Sequence, residues 1–276
     1  MLTDLGKPHI KRRLATIDIA RAIGIGVGGV AESAAHTKLE FEVDRFPITL
    51  QSYDFVNNLL IFKATVPQEL PIKIYEVGLF SQPQSTSGGE FTSRMLTQFD
   101  SNLEIWSAGA FNSTNTRIGI DSLRLTPSAS ATTTALMSDI FLDLSGNSAA
   151  DTFVLAFNNT NANVANIRFR FKTDASNYYT FTVASPTTTG YRVVSHAKST
   201  ATATGTPSWA NITGIEVEVV ATGGGSATVD FDGLRIEDID SINPDFVMVS
   251  RELLASPITK LEGRVQDIEY SLAVTI

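Results

Sequence analysis

The side chains of this chain that could do chemistry are not spaced for catalysis. Its three histidines, His9, His36 and His196, have no partner at the spacing of a metal site or a catalytic triad. Ser250 and Ser256 lie in no nucleophile elbow, and hydrolysis needs an activated nucleophile or paired carboxylates in one cleft. Because there is no cysteine, thiolate metal sites, disulfides and cysteine catalysis are excluded. We therefore expect a protein that is not an enzyme.

Asp230 and Asp232 are the residues that could bind a metal ion. They are two apart on a predicted strand, which places them on one face, and carboxylate oxygens suit calcium. The alternative is that Asp232-Gly233 forms a bulge or turn and that both carboxylates are solvated. Apart from calcium at this position, we expect no cofactor.

A glycine-rich segment, Gly24-Ile-Gly-Val-Gly-Gly29, matches the letters of the dinucleotide-binding motif and follows a predicted strand. That motif requires a long helix opening at its third glycine inside a βαβ unit. Residues 31–38 are too few for such a helix, and the next segment alternates as an antiparallel strand does. We interpret the glycines as positions of backbone turning and close packing.

Aromatic side chains in polar surroundings could bind a sugar. Sugar rings stack on exposed aromatic faces, while amides and hydroxyls bind the ring oxygens. The candidates are Tyr178, Trp106, Tyr191 and Trp209, and Asn177, Asn211 and the nearby threonines could supply hydrogen bonds. Tyr178 is the first choice, because strand alternation places it opposite three core-facing residues, Tyr179, Phe181 and Val183. For each candidate the alternative is a purely structural role.

Composition and charge exclude further classes of function. A net charge of -8 and a pI near 4.9 argue against nucleic-acid binding, which needs clustered cations. The one basic run, Lys11-Arg12-Arg13, is interpreted as a solvated N-terminal arm within residues 1–14. No apolar run approaches the ~18 residues that cross a bilayer. The first residues do not resemble a signal peptide. We therefore expect that the protein is made in a cytoplasm and does not insert into a membrane.

Short strands dominate the pattern along the 276 residues, and this length predicts two domains. Residues 17–80 alternate as strands, with Asn57-Asn58 as a two-residue hairpin turn. The strands that should follow are found only after Phe246. Between them lies a block rich in Ser, Thr and Asn with eight or nine short strands, the clearest being Arg117–Leu125, Ile140–Leu144, Thr152–Phe157, Ala165–Lys172, Tyr178–Val183, Tyr191–Ser195, Gly214–Ala221 and Thr228–Ile236.

Several of these strands have one apolar face. Residues 167, 169 and 171 are Ile, Phe and Phe, whereas residues 168, 170 and 172 are Arg, Arg and Lys. Antiparallel strands of this kind pack as two sheets face to face. The sequence therefore predicts an all-β protein: a discontinuous small β domain, residues 1–82 and 245–276, carrying an inserted jelly-roll β-sandwich, residues 90–240, on polar connectors at 82–89 and 238–244.

Two sets of motifs carry a family resemblance. The segments Ala22–Gly26, Leu39–Glu42 with Arg45 and Ile48, Ile74–Phe80, Pro257–Lys260 and Asp267–Tyr270 resemble the small β module of bacteriophage tail-fibre and baseplate proteins of the tail-collar type. The segments Asn177–Tyr179, Thr204–Trp209, Ile212–Ile215 and Val229–Ile236 resemble a jelly-roll carbohydrate-binding module.

The resemblance implies a structural virion protein in the tail of a phage, made in the host cytoplasm. Its partners would be other virion proteins and further copies of itself, with a trimer favoured and a hexameric ring as the alternative. The jelly roll would bind a host-surface glycan or serve as a structural spacer. The alternatives are a capsid or neck decoration protein and a free carbohydrate-binding protein.

Overall fold

The computed structural model describes residues 19–81, 94–237 and 248–273, and their regular secondary structure is almost entirely β-strand. The predicted all-β fold class is confirmed. The N-terminal arm and both predicted connectors lie outside the described residues. Within the described ranges, no helix is long and apolar enough to cross a membrane.

The strands are numbered in chain order. They are β1 (Ala22–Gly26), β2 (Glu42–Pro47), β3 (Leu50–Asp54), β4 (Leu59–Val66), β5 (Ile72–Phe80), β6 (Arg94–Thr97), β7 (Ala110–Asn112), β8 (Ser122–Leu125), β9 (Thr132–Met137), β10 (Thr152–Asn159), β11 (Val164–Lys172), β12 (Tyr178–Ala184), β13 (Gly190–Ala197), β14 (Thr202–Thr204), β15 (Gly214–Ala221), β16 (Val229–Glu237), β17 (Met248–Lys260) and β18 (Gln266–Ala273). Among the described residues a single 3-10 turn, Lys198–Thr200, precedes β14.

The chain forms two compact units, Met1–Glu90 with Ser241–Ile276, and Phe91–Asp240. The first unit contains a four-stranded sheet in the order β17-β5-β1-β2 and a three-stranded sheet in the order β18-β4-β3. Strand β5 is central, because it pairs with β1 on one side and with β17 on the other. Phe80 at its end lies opposite both Ala22 and Met248. The N-terminal and C-terminal parts of the sequence thus share one sheet.

The turn between β3 and β4 differs from the prediction. It contains four residues, 55–58, and only Asn58 has a positive φ, of 57°. The Asp54 carboxylate accepts hydrogen bonds from the N–H groups of Val56 and Asn57 at 2.8 and 3.1 Å. The predicted two-residue Asn-Asn turn is therefore wrong, because the aspartate stabilises a longer turn.

The second unit is a sandwich of two antiparallel sheets. One has the order β13-β10-β16-β8-β7, with β6 also paired to β16, and the other has the order β14-β12-β11-β15-β9. Aromatic rings join the sheets: Phe153 on β10 lies 4.4 Å from Phe171 and 5.1 Å from Phe181, between ring centroids. Fully buried Phe157, Phe169 and Phe231 belong to the same core.

Two predicted strands are shorter or absent. Residues 140–144 form only one isolated bridge, between Leu142 and Ile212. Of residues 117–125, only Ser122–Leu125 is strand, because the preceding backbone turns at Gly119, whose φ is +72°, and bonds to aspartates. The Thr-rich strand β9 was not predicted.

Candidate functional site

The outer face of the five-stranded sheet contains the favoured candidate, Tyr178. Strand alternation directs Tyr178 and Thr180 outward, while Phe181 is buried in the core. Tyr178 lies opposite Lys172 on β11 and opposite Thr204 on the edge strand β14. The predicted orientation of β12 agrees with this burial.

Charged side chains form a ladder across the middle of this face. Arg170 contacts both Glu216 and Glu218, the latter at 2.9 Å, and Lys172 Nζ lies 3.0 Å from Glu216. Burial lowers the pKa of Arg170, but hydrogen bonds to Glu216 and Glu218 outweigh burial and raise this pKa above its usual range. Two cations of this ladder, Arg170 and Lys172, therefore lie beside the Tyr178 ring and are held in place by their glutamate partners.

Tyr178 and the threonines around it have unused hydrogen-bonding capacity. The half-buried Tyr178 ring has Arg170 and Lys172 at 5.6 and 5.4 Å from its centroid. Its hydroxyl has no hydrogen-bond partner among the described residues, and the same holds for the hydroxyls of nearby threonines. We call this surface the Tyr178 face and define it by Tyr178, Thr180, Thr182, Thr202 and Thr204. An aromatic ring among free hydroxyls can stack on a sugar and bind its oxygens.

Asn177 is adjacent to the Tyr178 face but its amide stabilises a loop. Its Nδ2 donates to Asp174 Oδ2 at 2.8 Å, and its Oδ1 accepts from the Thr206 N–H at 2.7 Å. A Cβ atom on Gly205 would lie 2.2 Å from the same Oδ1, so this close approach requires glycine. Asn177 therefore positions the loop beside β12.

Trp209 packs at the end of the sandwich core. Its ring stacks on Tyr179 at 3.9 Å with an angle of 2° between the planes, and it lies 5.5 Å from Phe153. The Tyr179 hydroxyl donates to the Pro207 carbonyl at 2.9 Å. These contacts give Trp209 a structural role.

Trp106 lies in the interior of the second unit. It is 9% exposed and stacks on Phe99 at 5.0 Å, and its Nε1 donates to Glu104 Oε2 at 3.1 Å. A ligand in solvent does not reach this ring, so Trp106 is not a candidate for stacking on a sugar.

Tyr191 lies on the outer face of the other sheet, and its groups are already used. Its hydroxyl donates to Asp232 Oδ2 at 2.9 Å. The Arg117 guanidinium covers one side of its ring at 3.7 Å. Compared with Tyr178, Tyr191 offers a ligand less ring surface and no free hydroxyl.

Asp230 and Asp232 are fully buried, so the expectation of solvated carboxylates is wrong. Asp230 accepts two hydrogen bonds from Arg124, at 2.6 and 3.0 Å, and one from Asn115 at 2.8 Å. The irregularity in the register between Ala156 and Phe157 leaves Asp232 without a partner on β10, which confirms a bulge. Ordinary protein donors thus surround Asp230.

Asp232 fastens the segment before β8 to the sheet. It accepts from the Arg117 N–H at 2.9 Å, from Thr116 Oγ1 at 3.0 Å and from Tyr191. Burial raises the pKa of Asp232 to about 7, against the opposing effect of these hydrogen bonds. The part of the chain that the structure describes contains no group of three His, Asp or Glu that could hold a metal ion.

The glycine-rich segment of the first unit binds carboxylates of its own chain. The Gly28 N–H donates to Glu76 Oε1 at 3.1 Å, and the N–H groups of Gly29 and Val30 donate to Glu40 Oε2. A Cβ atom on Gly26 would lie 2.5 Å from Glu76 Oε1, which confirms the interpretation of close packing. No sequence signal identified Glu76 as the acceptor.

No family model matches the chain, and no curated protein matches it. Among solved structures, the chain is similar to the family 11 carbohydrate-binding module of the cellulase Lic26A-Cel5E of Clostridium thermocellum, with 12% identity, a TM-score of 0.40 and coverage of 56% of this chain and 96% of that one. It is similar to PfGH50B with 10% identity, a TM-score of 0.36 and coverage of 50% of this chain but only 22% of that one. It is also similar to the enzymatically active domain of bacteriophage CBA120 tailspike protein 4, with 11% identity, a TM-score of 0.27 and coverage of 58% and 21%. At these scores the similarities assign no function.

Proposed function

We propose that this chain is a non-enzymatic structural protein in the tail of a phage, in the fibre or baseplate, and that its sandwich binds a host-surface glycan. The observation that carries the glycan proposal is the contrast among the aromatic candidates. Trp106, Trp209 and Tyr191 are engaged by the protein, whereas Tyr178 keeps a free hydroxyl beside threonines without partners among the described residues. A binding surface needs groups that the fold has not already used.

The tail assignment is supported by the place of the motifs in the first unit. The segment Ile74–Phe80, which resembles the phage module, is part of the central strand β5. The segment Ala22–Gly26 is its neighbour β1, and the C-terminal motifs form parts of β17 and β18. The segments that resemble the phage module therefore lie together in one small β unit.

The first unit also offers edges for assembly. Within the described residues, β17 and β2 are edge strands of one sheet, and β18 and β3 are edge strands of the other. Open edges pair with other chains unless they are protected. We therefore propose a cyclic homo-oligomer docked onto other virion proteins, a trimer before a hexameric ring.

The test of glycan binding is an array of bacterial surface polysaccharides probed with the full chain, Tyr178→Ala and Phe141→Ala. Phe141 is a matched control, since it is an aromatic side chain of the second unit that is 72% exposed. Binding that Tyr178→Ala loses and Phe141→Ala keeps supports the proposal. Absence of binding by the unaltered chain leaves the structural-spacer alternative.

The test of the virion role is electron microscopy of particles labelled with an antibody to the chain. Label on the fibre or baseplate supports the proposal. Label on the capsid or neck would identify a decoration protein instead. Glycan binding without any label on particles would favour a free carbohydrate-binding protein.

A further inference from the structure

A cleft of about 360 Å³ opens in the first unit, beside the β17 edge of the four-stranded sheet. Residues 32–36 form one wall, with Glu32 and His36, and the start of β17 forms the other, with Met248, Val249, Ser250 and Arg251. Its volume falls within the range of ~300–1,000 Å³ that is common for ligand sites.

The β17 side of the cleft is an open strand edge. Strand β17 pairs with β5 on one side and with no described strand on the other. The Leu253 N–H points away from β5 and donates to Glu32 Oε1 at 2.6 Å. Because backbone directions repeat every second residue, the Arg251 N–H and carbonyl point into the same region. An extended segment of another chain can add to such an edge.

The cleft has excess negative charge. The Arg251 guanidinium is neutralised by buried Glu76 at 2.9 Å and also donates to His36 Nδ1. Glu32 lines the cleft, and Glu252 follows the lining residue Arg251 in sequence. Neither carboxylate forms an ion pair with a described residue. The Tyr270 hydroxyl is 2.7 Å from Ser250 Oγ. Burial raises the pKa of Tyr270 and the hydrogen bond with Ser250 lowers it, while the negative charges of Glu252 and Glu32 raise it further. A cationic side chain would complement these carboxylates.

Two exposed valines lie in and beside the cleft. Val249 lines the cleft and is 37% exposed, and Val30, whose carbonyl accepts a hydrogen bond from the lining residue Arg251 at 2.9 Å, is 48% exposed. A segment that fits this cleft is therefore extended and basic, with an aliphatic side chain among its cations.

We propose that this cleft binds the basic segment Lys7–Leu14 of a second copy of the chain. Residues 1–18 contain four basic side chains, Lys7, Lys11, Arg12 and Arg13, against two acidic ones, Asp4 and Asp18, in a chain whose net charge is -8. Ile10 and Leu14 supply aliphatic side chains that can contact Val249 and Val30. This contact links copies of the protein and does not depend on glycan binding.

Sedimentation velocity of the full chain tests this contact by reversal of charge. We expect the unaltered chain to self-associate. We expect Glu32→Lys, Glu252→Lys and the triple variant Lys11→Glu, Arg12→Glu, Arg13→Glu each to weaken association about tenfold, because attraction becomes repulsion. Combining the triple variant with Glu252→Lys should restore association. Glu262→Lys, at an exposed acid in the turn before β18, is the matched control and should associate normally.

Several results would overturn the proposal. They are an unaltered chain that stays monomeric, a combined variant that is no stronger than its parents, and an equal loss in Glu262→Lys. Glu32→Lys removes a backbone contact and could unfold the first unit. The triple variant leaves every described residue unaltered, and Glu252→Lys changes an exposed side chain next to the cleft, so restored association in their combination carries the test. Circular dichroism of each variant checks that it is folded.

Discussion

Glu76 and Arg251 are 175 residues apart in sequence and form a buried ion pair at 2.9 Å. Glu76 also accepts hydrogen bonds from the backbone N–H groups of Gly28, Glu40 and Phe41. One carboxylate thus holds together the glycine-rich segment, the central strand β5 and the C-terminal strand β17. The pair joins the N-terminal and C-terminal parts of the first unit, which are far apart in sequence.

Replacing Arg251 should destabilise the first unit strongly. Arg251→Met leaves Glu76 buried without its cation, which costs about 3–5 kcal/mol in comparable pairs. The matched control is Lys63→Met, because the Lys63–Glu269 pair at 2.9 Å belongs to the same unit but has side chains 43% and 49% exposed. We expect a loss of less than about 1 kcal/mol there.

Hydrogen exchange followed by mass spectrometry measures both variants on the peptides of β1 and β5. Arg251→Met should raise the exchange of these buried strands far more than Lys63→Met does. Equal protection in the two variants would show that the Glu76–Arg251 pair does not hold the unit together.

Alternation made much of the sandwich predictable, because burial of one face imposes a period of two. Phe169 and Phe171 are buried, and Arg170 between them faces outward, as predicted. The partners of Arg170 could not be predicted, since they depend on the register of β11 against β15. Register is set by packing across the whole sheet and by bulges.

The candidate site was harder to predict, because a sequence does not show which polar groups the fold consumes. Trp106 and Tyr178 both lie among polar residues in sequence, yet Trp106 stacks inside the core and Tyr178 lies on a surface. Asp230 and Asp232 were expected at the surface, but both are buried. They accept hydrogen bonds from Arg124 and Arg117, which are more than a hundred residues away in sequence, and a sequence does not show such partners.

Asp232 should make the stability of the second unit depend on pH. Its folded pKa of about 7 lies above the ordinary value of 3.8, so the folded state retains a proton that the unfolded state releases. The stabilising effect is complete below pH 3.8 and is lost as pH rises to about 7. In that window the free energy of unfolding should fall by up to ~1.4 kcal/mol for each unit of pH increase.

Urea unfolding between pH 4 and pH 8, followed by tryptophan fluorescence, measures this dependence. The chain has two tryptophans, and both lie in the second unit, so the signal reports that unit. Asp232→Asn should flatten the profile across the window, and Asp139→Asn, at an exposed aspartate, should leave it unchanged. An unaltered slope in Asp232→Asn would contradict the prediction.

Tyr178 should contribute to affinity through its ring more than through its hydroxyl. Tyr178→Ala should weaken glycan binding about tenfold, from loss of ~1–2 kcal/mol of stacking and buried area. Tyr178→Phe keeps the ring and should lose only about 0.5–1.5 kcal/mol from one hydrogen bond. Titration of an array-selected glycan with both variants measures the two losses.

Unchanged tryptophan fluorescence would show that the Tyr178 variants remain folded. Two outcomes contradict the role of Tyr178 as the stacking platform: an affinity of Tyr178→Ala equal to that of the unaltered chain, or a Tyr178→Phe variant as weak as Tyr178→Ala. Several copies acting together would mask a modest loss, so the titration uses soluble monovalent glycan.

The first unit should fold without the second. Phe80 at the end of β5 lies opposite Met248 at the start of β17 on an antiparallel neighbour, so a short loop can join the two strands. Replacing residues 82–247 by a short Gly-Ser loop keeps every described strand of the unit and the Glu76–Arg251 pair. A shorter loop lowers the entropy cost of closure, although only by about 0.6 kcal/mol per halving of its length.

Circular dichroism and hydrogen exchange measure the shortened chain. We expect a cooperative β-sheet signal and protection of β1, β5 and β17 equal to that in the full chain. Arg251→Met in the shortened chain is the matched control and should remove that protection, because the same buried carboxylate loses its cation. An aggregated or unprotected product, when the second unit alone does fold, would show that the two units depend on each other for folding.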